Sequence, residues 1–223
     1  MSNSMPSLFH HTFLNILFGK DELDVIYNNI KGFVDFNFNF NLLEKTVDTV
    51  EKIAPFLLQK IKKEQELIET NEDYYVARDL TDNIVYICFK NLLMIDIDAK
   101  ENVYTDQYIL DHFSKINDQS FSIYKNELGG FHVFCISKKY EYRNSDTINF
   151  MINNMCDFYY SIHCYIRGFC VRLNRKFENN SVYYHFKNIN YELADSDLLR
   201  LLEIHNVLLK KYTLLDCTYT RLH

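Results

Sequence analysis

The chain has 223 residues, of which 48% are hydrophobic and 24% are charged, and its formal net charge is −6. This balance excludes wholesale disorder and predicts one domain, or one domain with an extension. The acidic charge argues against a protein that coats nucleic acid non-specifically, but it permits one local basic groove. No signal peptide and no apolar run of membrane-spanning length is present, so we expect an intracellular protein that is not secreted and has no membrane partner.

The cysteines form no Cys-x-x-Cys pair and lie in apolar surroundings. They are Cys88, Cys135, Cys156, Cys164, Cys170 and Cys217. Buried free thiols are therefore expected, rather than a zinc site or a disulfide framework.

The first third of the chain is expected to form a helical N-terminal extension, residues 1–72. Apolar residues recur at helical spacing over 42–69, and Pro55 must kink or restart that helix. Before it, residues 33–41 alternate Phe with polar residues, which predicts an edge strand or an extended arm.

From Asp73 the pattern changes to short β-rich runs separated by turn residues, so residues 73–223 are expected to form a separate core. We predict strands at 73–80, 83–90, 91–98, 119–127, 130–137, 159–166, 168–176 and 181–189. The run at 159–166 could instead be the tail of the helix before it. Helices are predicted at 105–116, capped by Thr105 or Asp106, and from Ser145, as its N-cap, to about Met155. A last helix is predicted at the C-terminus, capped by Asp195-Ser196. The order indicates an α+β fold closed by a C-terminal helix, with extension and core forming one compact unit.

The sharpest motif is LLMIDIDAK at 92–100, in which an apolar strand runs into Asp96 and Asp98. Residues i and i+2 of a strand face the same side, so both carboxylates project together. Two carboxylates so close repel each other unless a cation lies between them, and Mg²⁺ or Mn²⁺ prefers oxygen ligands. A turn cap beside a solvated carboxylate would explain the same residues without a metal.

The second motif is ELGGFHVFCIS at 127–137, where His132 follows Gly129-Gly130 inside an apolar strand. Paired glycines allow a close backbone approach, and a histidine beside them can donate an N–H to a phosphate. A hairpin turn followed by a structural histidine is the alternative.

The third motif spans 155–176, where Asp157 follows an apolar helix end and basic residues follow it. The cations are Arg167, Arg172, Arg175 and Lys176. Clustered cations suit a triphosphate or a nucleic-acid backbone, although a solvated basic strand end is an equal explanation for any one of them.

In this order, the three motifs resemble those of the archaeo-eukaryotic primase superfamily, in its primase-polymerase branch, over about residues 73–188. That branch has a hydrophobic strand with Asp-x-Asp, a small-x-His strand, and an apolar-Asp segment followed by Tyr, Arg-Leu and Lys. Here these are Asp96 with Asp98, Gly130 with His132, and Asp157 with Tyr160, Arg172-Leu173 and Lys176. Gly130 departs from the frequent Ser, and the Asp157–Arg172 stretch is longer than the family pattern. The abundance of Asn, Ile, Lys, Tyr and Phe is typical of AT-rich genes, so we expect a large DNA virus as the source, with a location in the host cytoplasm or nucleus.

The resemblance implies an RRM-like catalytic core, with helices on one face of a mixed sheet and the carboxylates on the other. It implies that Asp96, Asp98 and Asp157 are catalytic residues that hold two Mg²⁺ or Mn²⁺ ions, and that no zinc is needed. Nucleotide phosphates would be bound by His132, Gly130, Arg172, Arg175 and Lys176. The implied reaction adds nucleoside triphosphates on a single-stranded DNA template, with a helicase or other replication proteins as partners.

Two other functions fit the motifs. A catalytically silent primase-like subunit would bind nucleic acid within a replication complex, and the short chain favours it. A haloacid-dehalogenase-like phosphatase is more distant, because that family follows Asp-x-Asp with Gly-Thr whereas Ala99-Lys100 stand here. A purely structural protein is the third possibility.

Overall fold

The computed structural model describes residues 45–51, 54, 65–80, 83–98, 104–126, 129–174 and 185–219. They form a mixed α+β fold, which confirms the predicted fold class. The strands are β1 (Gln65–Thr70), β2 (Tyr74–Asp79), β3 (Val85–Phe89), β4 (Met94–Ile97), β5 (Phe121–Lys125), β6 (Phe131–Cys135), β7 (Phe169–Arg172) and β8 (His185–Asn188). The helices are α1 (Asp106–Ser114), α2 (Ser145–Asn153), α3 (Phe158–Arg167) and α4 (Ser196–Tyr219), with a 3₁₀ turn at Tyr191–Leu193.

The strands form two antiparallel sheets. The first sheet has the order β1-β2-β3-β7, and the second has the order β4-β6-β5-β8. Buried side chains of both sheets, such as Ile87 and Val171 of the first and Ile95 and Val133 of the second, belong to one apolar cluster. The sheets therefore share a core.

The two faces of the second sheet differ in what covers them. One face packs against α1, since the rings of Phe113 and Phe121 lie 5.0 Å apart and Lys125 pairs with Asp106 at 2.6 Å. Asp96 and its cross-strand partner His132 lie on the other face, because side chains alternate along a strand. α4 contacts this second face. Both faces are therefore largely covered, and Asp96 is partly exposed on the edge strand β4.

The first correction concerns residues 65–70, which fall in the predicted helix over 42–69. The structure is helical at 47–51, but 65–70 form β1 and pair with β2. Pairing with a neighbouring strand outweighs the helical spacing of the isolated segment. This hairpin crosses the expected boundary at residue 73. The alternating segment at 33–41 lies outside the described residues.

The second correction concerns residues 159–166, predicted as a strand or as the tail of the preceding helix, which belong to a helix of their own, α3. Its buried residues include Phe158, Ser161, Ile162 and Ile166, which recur every three or four positions. Aromatic and β-branched residues favoured the strand, but burial along one helical stripe decided the structure. α2 begins where predicted, although its cap is Asn144 rather than Ser145.

The third correction concerns the cysteines. Cys88 and Cys170 are Cα partners on β3 and β7 and form a disulfide, so the prediction of free thiols was wrong for this pair. The two residues are 82 positions apart, and only the sheet pairing brings them together. Cys135, Cys156 and Cys164 are buried and free, as expected. Within the described ranges, no helix is long and apolar enough to cross a bilayer.

Candidate active site

Asp96 and His132 lie directly opposite each other on adjacent strands. They are Cα partners on β4 and β6, and Asp96 Oδ1 is 3.5 Å from His132 Nε2. The Asp96 side chain is 34% exposed and that of His132 is 15% exposed, so the carboxylate faces solvent while the imidazole is mostly covered. Antiparallel pairing thus joins the first two sequence motifs on one face of the sheet.

His132 is held as a neutral imidazole. Burial lowers its pKa to about 4, because the charged form loses its hydration, and the nearby Asp96 does not reverse this. A neutral ring still carries one N–H, which can donate to a carboxylate or phosphate oxygen. His132 is therefore suited to hydrogen bonding with an anion rather than to ion pairing at pH 7.

Asp157 lies beside Asp96, although the two residues are 61 positions apart in the sequence. The amide nitrogen of Asp157 donates to the carbonyl oxygen of Asp96 at 2.6 Å. Asp157 is also the N-cap of α3, and its Oδ1 accepts from the amide of Tyr160 at 2.7 Å. The cap fixes where α3 begins, and the backbone bond ties that point to β4. Asp157 therefore has a structural role in addition to any role as a ligand.

The groups near these carboxylates are uncharged. Burial raises the pKa of Cys164 to about 12 and also raises the pKa values of Cys156 and Tyr160. None of these groups is ionised at pH 7, so none offers a thiolate or phenolate. The oxygen ligands at this point are carboxylates, which is the donor set that Mg²⁺ and Mn²⁺ prefer.

Asp98 and Gly130 lie where β4 ends. Asp98 is exposed and follows the last residue of the strand. A Cβ added to Gly130 would lie 2.9 Å from the carbonyl oxygen of Ile97 and 3.0 Å from Nδ2 of Asn126. Gly130 therefore allows the backbone before β6 to approach the end of β4 closely, which gives its place in the motif a packing reason.

The predicted basic residues are not all part of this sheet. Arg172 lies on β7 in the first sheet, opposite Tyr86, and its Nε donates to the carbonyl oxygen of Asn174 at 2.8 Å. Arg175 and Lys176 lie outside the described residues. Their assignment to nucleotide phosphates stays a prediction.

The carboxylates do not form a closed cage. In the part of the chain that the structure describes, no three His, Cys, Asp or Glu side chains are grouped closely enough to enclose a metal ion. The ligand types nonetheless match divalent cations, because Asp96, Asp98 and Asp157 supply oxygen atoms.

Sequence reasoning missed His205, a buried residue of α4. Its ring is fully buried and lies 5.2 Å from that of Phe134 and 6.4 Å from that of Tyr124, which is the other cross-strand partner of His132. Burial and the charge of His132 lower the pKa of His205 to about 3. The signal was present in the sequence, because His205 stands at helical spacing from Leu201, Leu202 and Leu209 on an apolar stripe.

Comparison with protein-family models, with curated proteins and with solved structures gave no match.

Proposed function

We propose that this chain is a nucleotidyltransferase of the archaeo-eukaryotic primase type, which adds nucleotides on a single-stranded DNA template by two-metal phosphoryl transfer. The observation that carries the proposal is the meeting of three motifs at one point. Asp96 faces His132 across a strand pair, and Asp157 is bonded to the backbone of Asp96. The Asp96 carboxylate beside a neutral imidazole, with Asp157 joined to Asp96 through the backbone, would provide ligands for cations next to a donor for phosphate.

The order of elements supports the proposal. β4, α1, β5, β6 and α2 follow one another, with β4 and β5 on either side of β6. α1 covers the face opposite Asp96, which supports an RRM-like core, although α4 contacts part of the face that carries Asp96. The specific primase core is part of the proposal, beyond the α+β class.

Each residue has a defined role in the proposed reaction. Asp96, Asp98 and Asp157 would hold two Mg²⁺ or Mn²⁺ ions, whose bound charge would neutralise the phosphates and favour ionisation of the attacking hydroxyl. His132 would donate its N–H to the incoming nucleotide and orient it. Gly130 would keep the backbone close to β4, and Arg172, with Arg175 and Lys176, would contact the triphosphate.

The alternative function is a catalytically silent, nucleic-acid-binding subunit of a replication complex. One observation favours it: the Asp157 carboxylate accepts the amide of Tyr160, so a helix cap by itself accounts for an aspartate there. Nucleotide binding that depends on Mn²⁺ separates the two, because a silent subunit has no such binding. Isothermal titration with a non-hydrolysable nucleotide measures it.

The test of the enzyme is incorporation of labelled nucleotide on primed and unprimed single-stranded DNA with Mg²⁺ or Mn²⁺. Asp96→Asn should abolish incorporation, because it removes a charge from the metal ligands and leaves the shape unchanged. The matched control is Asp106→Asn on the opposite face of the sheet, where Asp106 pairs with Lys125. Equal activity of Asp96→Asn and wild type would rule out the proposed site.

A further inference from the structure

An open cleft of about 340 Å³ lies away from the carboxylates, between the end of β3 and the segment before α2. It is lined by Lys90, Asn91, Glu141, Tyr142 and Arg143. The two cations exceed the one carboxylate, and the amide and phenol groups add hydrogen-bonding capacity. In a chain with a formal net charge of −6, this cleft is locally positive.

Arg143 is exposed and held without a carboxylate. One guanidinium nitrogen donates to the carbonyl oxygen of Ile166 at 3.1 Å, and Cζ lies 5.3 Å from the centre of the Tyr142 ring. The ion pairs among the described residues involve other cations, such as Arg78 and Arg200. Arg143 therefore keeps its full charge for a ligand, and its contacts orient the guanidinium in advance.

A second arginine lies close to the first. Arg167 ends α3, its guanidinium is 2.8 Å from His163 Nδ1, and its Cζ is 4.7 Å from the centre of the Tyr86 ring. The hydroxyl of Tyr75 donates to the carbonyl oxygen of Arg167, and both arginine charges act on that hydroxyl. The two guanidinium groups therefore belong to one electropositive region.

Helix α3 connects this region to the candidate active site. Its first turn begins at Asp157, and Ile166, whose carbonyl oxygen Arg143 contacts, lies in its last turn. Ten residues at 1.5 Å per residue give a separation of about 15 Å along the helix.

We propose that the cleft of Lys90 and Arg143, with Arg167 beside it, binds the backbone phosphates of a single-stranded nucleic acid. Paired arginines suit phosphate oxygens, and the Tyr142 ring offers a stacking surface to an unpaired base. This deepens the proposed function, on which it rests, since it assigns the place where the template strand is held at the far end of α3 from the carboxylates, about 15 Å along the helix. The binding itself needs neither metal nor catalysis.

The test is fluorescence anisotropy of a labelled oligothymidine with the full chain, without divalent metal, over a series of KCl concentrations. Arg143→Gln should weaken binding about tenfold, the lower end for a charged hydrogen bond. The slope of the logarithm of affinity against the logarithm of salt should fall by about 0.7, as expected for one lost phosphate contact on a single strand. Lys90→Gln should lower the slope in the same way, and Arg143→Lys should retain it.

The control is Lys115→Gln, an exposed lysine after α1, which should leave affinity and slope unchanged. If Arg143 only caps the end of α3, Arg143→Gln will lower the melting temperature with an unchanged slope, which overturns the proposal. Failure of the wild-type chain to bind the oligonucleotide also overturns it. If nucleoside triphosphate binding, and not oligonucleotide binding, depends on Arg143, the cleft is a nucleotide site instead.

Oligonucleotide binding by Asp96→Asn separates this proposal from the proposed function. An inactive Asp96→Asn that binds the strand like wild type supports both. If Asp96→Asn incorporates nucleotide like wild type while Arg143→Gln weakens oligonucleotide binding as expected, the proposed active site is rejected and the proposed binding cleft is retained.

Discussion

The two sheets have the same number of strands and the same antiparallel pairing, yet they hold different pairs of polar side chains. On the second sheet, Asp96 stands opposite His132, with Asp157 bonded alongside. On the first sheet, Arg172 stands opposite Tyr86, whose ring Arg167 covers. The carboxylate–imidazole pair and the arginine–tyrosine contacts thus lie on different sheets.

This separation shows how an acidic chain can present both signs of charge. Arg143 and Arg167 lie over tyrosine rings, a contact that does not neutralise their charge. The sheets also differ in covalent support, because the Cys88–Cys170 disulfide joins two strands of the first. The following predictions test this difference.

The largest effect is expected from removing the disulfide of the first sheet. Replacing both Cys88 and Cys170 by Ser should lower the free energy of unfolding by about 4 kcal/mol, because the bond closes a long loop in the unfolded chain. Urea unfolding with and without reductant measures the effect. Reductant should bring the wild type to the value of the variant, and identical stabilities without reductant would contradict the prediction.

The next effect is on the active site of the second sheet. Asp157→Asn should reduce nucleotide incorporation by about 100-fold or more, equivalent to about 3 kcal/mol, because the ligand charge is lost. Stability should change little, since Asn also caps helices well.

Asp157→Ala supplies the contrast, because it should lose the same activity and also about 1 kcal/mol of stability with the cap. Thermal unfolding and the incorporation assay, run on both variants, separate the two roles. Full activity in Asp157→Asn would leave Asp157 as a helix cap alone.

A smaller effect is expected from His205, which α4 buries against the second sheet. Its folded pKa of about 3 lies below the ordinary 6.5, so the folded state binds fewer protons, and stability is lost as pH falls from 6.5 towards 3. At pH 5 this loss is about 2 kcal/mol. The free energy of unfolding of His205→Leu minus that of wild type should therefore be larger at pH 5 than at pH 8. Urea unfolding of both proteins at the two pH values measures this difference. An equal difference at both pH values would show that His205 does not contribute to acid sensitivity.

The smallest effect is expected at Gly130. Gly130→Ala places a Cβ 2.9 Å from the carbonyl oxygen of Ile97, and the strain should cost about 1–2 kcal/mol. The shift occurs next to Asp98, so incorporation should fall more than the change in stability explains. Urea unfolding and the incorporation assay at a temperature where the variant is fully folded measure both. Wild-type activity in a destabilised variant would show that this contact supports only the fold.

Local patterns predicted the strands well where one face is apolar and the segment pairs with close neighbours. The runs containing β2 to β6, and helix α1 with its Thr105 cap, follow alternation and capping rules that act over a few residues. Residues 65–70 were assigned wrongly, because pairing with β2 outweighs their helical spacing. Residues 159–166 were assigned wrongly, because burial along one side of a helix outweighs their preference for a strand.

The residues of the candidate site also differ in whether a local pattern or a long-range contact identifies them. Asp96 and Asp98 could be selected from one strand, because a spacing of two residues fixes a shared face. The sequence marked His132 and Asp157 by looser motifs, each of which also had a structural explanation, and the resemblance linked them to Asp96. Pairing across β4 and β6 and the amide bond from Asp157 to Asp96 decided their closeness.

The sequence by itself determined the α+β class, most strand positions and the residue types able to bind cations, since these depend on composition and short-range periodicity. Only the tertiary structure decided that Cys88 meets Cys170, that His205 packs beside Tyr124, and that Arg143 reaches the end of α3. These contacts join residues far apart in the chain. They depend on how sheets and helices pack, which no local pattern records.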